Sequence, residues 1–243
     1  MKFSIIIPTK NAYPKLHITL SSLAKQTYRN YECIIMDNLS TDNSQSLISQ
    51  YKSTIPHLML YSSEDTGIYD AMNKGVFRAT GEYVFFMGAG DVFHSPSILA
   101  TVNEALTKNN PDVLYGDILY LPNQQIPQPA CLSNRYFISG KMLCHQSIFA
   151  RKETLTAYPF QSDYSFGADR DWLIRTFQSG YTFIHIPVVI ADYDTSGYTS
   201  LPANHKAVWM ESGKILSKHY GFLMLPVTFI KYYLVIKWRK NKN

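Results

Sequence analysis

Six aspartates stand where a folded chain could bring acids together: Asp37, Asp65, Asp70, Asp91, Asp169 and Asp171. Each closes a short apolar run or opens a helical pattern. Acids so placed do two kinds of chemistry. An ionised carboxylate within reach of a hydroxyl can remove its proton as a new bond forms. A lone carboxylate can hold a hard divalent cation whose other ligands are phosphate oxygens and water. Asp91 suits the second role. It ends F-F-M-G-A-G-D, where glycines let a ligand come close to the backbone. Asp169, in F-G-A-D-R-D-W-L-I-R, is the best candidate for a general base. Plainer readings compete. Asp42 and Asp171 sit where a helix start favours Asp as a cap and through the helix dipole. His145, between Cys144 and Gln146, fits either a hydrogen-bonded interior residue or a site residue.

A frame of strands and helices must position these groups. Lys2 to Ile7 is a short apolar run stopped by Pro8, as expected for a strand buried on both faces. Leu16, Leu20, Leu23 and Ala24 recur at helical spacing and predict a helix from about Pro14 to Gln26. Strands follow at Tyr31 to Met36 and Leu58 to Tyr61, with a helix carrying Leu47, Ile48 and Tyr51 between them. Glu64 to Asp91 reads as a polar Gly loop, a helix and a buried strand. Ser95-Pro96 opens a helix with Ile98, Leu99, Val102 and Leu106 on its apolar face. Further strands are expected at Asp112 to Tyr120, Ser147 to Ala150 and Tyr181 to Ile190. Helices are expected around Trp172 to Phe177 and from Ala203 to Tyr220. Leu121 to Pro129, polar and Pro-rich, is expected to be a mobile surface loop. This alternation predicts an α/β fold with a parallel sheet, whose ligands sit at the carboxyl ends of the strands.

Several function classes are excluded. A chain of 243 residues, 46% hydrophobic, fits one large domain with a tail. The net charge of +5 is a modest excess, less than a nucleic-acid protein usually concentrates on one face. Three well-separated cysteines, Cys33, Cys131 and Cys144, form neither a disulfide framework nor a zinc motif and suit a reducing cytoplasm. Phe3 to Ile7 is too short for a signal peptide core, and there is no apolar run long enough to span a bilayer. The first strand is followed by Pro8-Thr9-Lys10-Asn11, with no G-x-G-x-x-G and no phosphate loop. A G-x-S-x-G elbow is also missing. Residues 222–243 mix Lys231, Lys237, Arg239, Lys240 and Lys242 with Tyr232, Tyr233 and Trp238. That suits a helix lying on an anionic membrane surface, or else a core helix with a solvated basic end.

Five segments, in order, resemble those of family 2 glycosyltransferases of the GT-A fold, in the branch that builds bacterial O-antigen, capsule and exopolysaccharide. They are S-I-I-I-P-T-K-N (Ser4 to Asn11), M-D-N-L-S-T-D (Met36 to Asp42), D-T-G-I-Y-D-A-M-N-K-G (Asp65 to Gly75), F-F-M-G-A-G-D (Phe85 to Asp91), and the pair C-H-Q and A-D-R-D (Cys144 to Gln146, Ala168 to Asp171). The resemblance runs from about residue 2 to about 200. It implies a Rossmann-like, mostly parallel central sheet flanked by helices, in a domain over 1–221 with a donor half to about 120 and an acceptor half beyond it. It implies a nucleotide-sugar donor, most simply a UDP-hexose, and inversion at the anomeric carbon. Pro8, Thr9, Asn11 and Asp37 would line the nucleoside pocket, with Asp65, Asp70 and Asn73 near ribose, diphosphate or sugar. Asp91 would hold Mg²⁺ or Mn²⁺. Asp169 would be the base, with Asp171 as the other choice, and His145, Gln146 and Asp171 would lie on the acceptor side. Gly88 and Gly90 stand where the family often has further acids. The acceptor implied is a glycan on a polyprenyl diphosphate, met at the inner face of the cell membrane. A nucleotidyltransferase making nucleotide sugars and a non-catalytic membrane scaffold are the competing readings.

Overall fold

The apolar runs of the first 90 residues become strands because both of their faces are covered. In a computed structural model, which describes residues 1–120, 124–197, 201–226, 228, 230 and 233, β1 (Phe3–Thr9), β2 (Tyr31–Asp37), β3 (Leu58–Ser62) and β4 (Tyr83–Phe86) lie in the order β3-β2-β1-β4, all parallel. Side chains alternate across β1. Ile5 and Ile7 enter one core with Leu16, Leu20 and Leu23 of α1 (Lys15–Ala24), Leu47 and Ile48 of α2 (Ser44–Tyr51), and Leu99 and Val102 of α4 (Ile98–Asn109). Ile6 enters the other, with Tyr69, Met72 and Val76 of α3 (Ile68–Arg78) and Trp172, Leu173 and Ile174 of α7 (Ala168–Gln178). This is a GT-A-like α/β fold, a central sheet between helical layers.

Beyond β4 the sheet becomes mixed. It continues through β8 (Ile148–Arg151), β6 (Val113–Tyr120), β9 (Phe183–Tyr193) and the two-residue β5 (Val92–Phe93). β8 is antiparallel to both neighbours, β6 and β9 are parallel, and β5 pairs antiparallel with β9. Pairing with β5 and β6 carries β9 to Tyr193, past the Ile190 boundary expected from hydropathy. One expectation is corrected. Within Leu121 to Pro129, Gln124–Ile126 form a strand, β7, antiparallel to β6, while residues 121–123 fall outside those described. The cause is β8, whose four residues reach only Val113 to Tyr115 of β6 and leave the backbone groups of Ile118 to Tyr120 for β7. Gln128 is buried, and its N–H donates to Asp117 Oδ1 at 2.8 Å, so this stretch is fastened down. Two short helices, α5 (Asn134–Ile138) and α6 (Lys152–Ala157), and a long one, α8 (His205–Tyr220), complete the described elements. Most of the basic tail lies outside the described residues, and among those described no helix is long and apolar enough to cross a membrane.

The first strands are locked by a buried acid. Glu32, 2% exposed on β2, accepts from Ser4 Oγ at 2.5 Å, from Thr80 N and Oγ1 at 2.6 and 2.7 Å, and from Lys2 Nζ at 2.9 Å. Burial alone would push its carboxyl up, but these donors outweigh it and hold it at about 2. A carboxyl depressed in the folded state contributes stability above its unfolded value, and that stability is lost as pH falls toward the folded value. Glu32→Gln should therefore cost about 1–3 kcal/mol in urea unfolding at neutral pH. The gap from the unaltered chain should narrow as pH falls from the ordinary carboxylate range toward about 2; a gap independent of pH would contradict this.

Candidate active site

The carboxyl ends of β1, β2 and β3 are level: Thr9 pairs with Asp37, and Asp37 with Ser62. Asp37, 1% exposed, accepts at Oδ2 from Ser62 Oγ (2.8 Å), Gln45 Nε2 (3.1 Å) and Ser40 N (3.2 Å). Its Oδ1 is buried without a partner, and leaving a polar atom so costs free energy that a bound donor would recover. Pro8 and Thr9 end β1 beside it. Asn11, in the left-handed region at φ 48°, accepts from Thr41 N at 2.8 Å, and its own N–H donates to Ser40 Oγ at 2.8 Å. Tyr13 N donates to Asp42 Oδ2 at 2.9 Å. The two loops are thus sewn together around Asp37.

The next loop carries Asp65 and Asp70. Asp65 Oδ1 accepts from Asn38 Nδ2 (2.8 Å) and Gly67 N (3.0 Å), and burial pushes its carboxyl up. Burial would also raise Asp70, but bonds from Lys74 and Thr66 win and lower it. Asn73 is already committed: its amide donates to Phe160 O at 2.8 Å and accepts from Phe160 N at 3.0 Å. It fastens α3 to the segment ahead of α7.

Asp91 and Asp169 are gathered by one turn. His145–Ser147, a single 3-10 turn before β8, sends adjacent side chains to the two acids. Gln146 Nε2 donates to Asp91 Oδ2 at 3.1 Å, and His145 Nδ1 lies 3.0 Å from Asp169 Oδ2. Asp169, 4% exposed in the first turn of α7, also accepts at Oδ1 from Tyr69 OH (3.1 Å) and Arg170 N (2.8 Å). Burial, then the neighbouring Asp169 charge, pushes the Tyr69 phenol well up, so it stays a donor. Phe86, Ile148, Phe160, Trp172 and Leu173 wall a small apolar cavity against His145 and Asp169. Such walls strengthen the electrostatic bonds inside. Asp169 is thus held from three sides, by Tyr69, Arg170 and His145.

The residues present do not fit a preformed metal centre. Asp91, 3% exposed, accepts from Gly88 N (3.0 Å) and Gln146 at Oδ2 and from Asp194 N (2.9 Å) at Oδ1, three of the roughly four lone-pair positions a carboxylate has. Burial raises its carboxyl. Gly90 cannot be exchanged for an acid. Its φ is +105°, and a Cβ there would lie 2.6 Å from Asp194 Oδ2, itself bonded to Lys15 Nζ at 2.6 Å. Among the described residues no three His, Cys, Asp or Glu side chains could hold one ion together.

Asp171 is not brought to Asp169. It is fully buried on the far side of α7, 2.6 Å from Arg175 Nε, 2.8 Å from His219 Nε2 and 3.1 Å from Lys218 Nζ. Burial would raise it; these partners hold it at about 2. Two site residues escape sequence reasoning. Tyr69 lies inside the I-Y-D-A-M-N stretch but carries no charge to flag it. Asp194 follows a strand end, the same signal that marked the other acids.

The description Glycosyl transferase family 2 matches residues 4–162. A PGL/p-HBAD biosynthesis glycosyltransferase of Mycobacterium bovis BCG is 32% identical over 199 residues, 80% of this chain and 77% of that protein. Among solved structures, S. aureus TarS 1-349 in complex with UDP-GlcNAc superposes with a TM-score of 0.72 at 18% identity, covering 90% of this chain and 68% of that one. The mannosyltransferase PcManGT from Pyrobaculum calidifontis, in complex with GDP-Man and Mn²⁺, gives 0.67 at 20% identity, with 96% and 69% covered.

Proposed function

Because the chain belongs to glycosyl transferase family 2, we propose that it moves a sugar from a nucleotide-sugar donor to a hydroxyl of a glycan acceptor, with inversion at the anomeric carbon. The observation that carries the reading is Asp169: a buried carboxylate, held by Tyr69 and by His145, whose neighbour Gln146 holds Asp91. The nucleoside would enter at the level ends of β1 to β3, where Asp37 Oδ1 lacks a donor and Pro8, Thr9 and Asn11 form the rim. Asp65 and Asp70, ahead of and within the first turn of α3, would face the ribose and the diphosphate-linked sugar. Asp169 would take the proton of the acceptor hydroxyl as its oxygen attacks C1 and the nucleoside diphosphate departs on the opposite side. His145 and Gln146 would border the acceptor. Mg²⁺ or Mn²⁺, expected from the family resemblance, would find among the described residues only the committed carboxylate of Asp91.

A UDP-hexose donor and a polyprenyl-diphosphate-linked acceptor complete the reading. Exposed Phe222 (80%), Leu223 (64%) and Ile230 (60%) follow α8, and their apolar surface next to a basic tail suits peripheral contact with an anionic membrane at its cytoplasmic face. The nucleotidyltransferase reading is disfavoured by the first loop. Its backbone N–H groups at Asn11, Ala12 and Tyr13 already donate to Ser40, Ser44 and Asp42, so these three are not free to cradle a triphosphate.

Two measurements test this. Asp169→Asn should lower sugar transfer by about 10²–10⁴-fold while calorimetric nucleotide binding persists; a rate near that of the unaltered chain would refute the base and favour a scaffold. Replacing Phe222 and Leu223 by Ser should reduce co-sedimentation with phosphatidylglycerol vesicles; unchanged pelleting would refute the membrane contact.

A further inference from the structure

The loop that delivers Asp169 has no cap of its own. Gly167 precedes α7 and offers no side chain to the first-turn amides, which in any helix lack internal acceptors. The three N–H groups just ahead of the helix find their acceptor on a different element. Glu211, on α8, accepts at Oε2 from Ser165 N (2.9 Å) and at Oε1 from Phe166 N and Gly167 N (both 2.7 Å). One carboxylate thus gathers three consecutive backbone N–H groups, and bonds from an ionised acceptor are roughly twice as strong as neutral ones.

The same helix holds α7 again about two turns further along. Lys218 and His219 bind Asp171, and between them and Glu211 the buried Ile215 and Leu216 pack into the core shared with Trp172 and Leu173. Approach is close: a Cβ on residue 167 would lie 2.7 Å from Ile215 Cδ1, the end of that side chain. Asp169 lies between the two grips. Its carboxylate is aimed by where α7 begins, and that start is set by the loop Glu211 holds. The charge of Glu211 also reaches Tyr69, the phenol that donates to Asp169.

We infer that Glu211 is a positioning residue for sugar transfer, orienting Asp169 from α8 without touching substrate. This rests on Asp169 being the base. Catalytic geometry is steep in distance, so a shift of about 1 Å at the base costs on the order of 10²-fold in rate.

The test uses the full chain and whichever of a panel of UDP, GDP, dTDP and CMP sugars it consumes. Glu211→Gln keeps the shape but turns an N–H₂ group toward a backbone N–H. It should lower kcat by about tenfold or more and leave the donor KM within about twofold, since Asp37 and Asn11 lie elsewhere. Amide hydrogen exchange at residues 165–167 should speed up while β1 to β3 stay protected. Glu211→Asp, which keeps the charge on a shorter arm, should fall between. Wild-type kcat with unchanged exchange would overturn the inference. Parallel loss of kcat, donor binding and thermal stability in both variants would overturn it too, as the mark of a merely structural residue. If Asp169→Asn transfers normally, the base assignment fails on its own, and exchange at 165–167 still decides whether Glu211 holds the loop.

Discussion

Two acids that lie 78 residues apart in the chain are held by neighbouring side chains of one turn. Gln146 reaches Asp91 and His145 reaches Asp169, so the strand end of β4 and the start of α7 cannot drift independently. The turn is itself braced. Cys144 Sγ donates to Gln146 Oε1 at 2.8 Å, and Ser147 Oγ to Cys144 O at 2.8 Å. Its position follows from β8, the antiparallel strand inserted between β4 and β6. Without that insertion the sheet would still have a ligand edge, but the two acids would have nothing between them.

Burial explains why so many donors converge on so few carboxylates. Each acid loses solvation on entering the fold and must find bonds to stay ionised. Glu32 and Asp171 find several and are driven low, to about 2. Asp91 finds three as well, all of them neutral, and Asp65 finds two, and burial drives both carboxyls up. The first pair fasten elements together. The second pair stand past the carboxyl ends of β3 and β4, the edge at which open α/β sheets hold ligands.

The parallel half of the fold is legible in the sequence because its signals are local: Ile-rich runs of about strand length, each ending in a polar loop with a cap residue behind it. The mixed half is not. Nothing in Ser147 to Ala150 says that it inserts antiparallel, and Gln124–Ile126 becomes a strand only because β8 stops short on β6. At the site, residue type marks the acids but not their directions. Asp169 and Asp171 share a first turn, yet two positions along a helix are about 200° apart, so one faces the pocket and the other α8. That spacing could have separated them from sequence alone. The role of Asn73 as a clasp on Phe160, and of Glu211 as a cap supplied from 44 residues away, depends on tertiary contacts that no local pattern contains.

The central claim is that Asp169 faces the reacting carbon while Asp37 holds the nucleoside. A crystal structure of the chain with its nucleotide-sugar donor tests it most directly. The nucleobase should lie near Asp37 Oδ1, the sugar between the Asp91 turn and α7, and the face of C1 opposite the diphosphate open toward Asp169 across the width of one hydroxyl. A donor seated away from Asp37, or with C1 turned from Asp169, would contradict it.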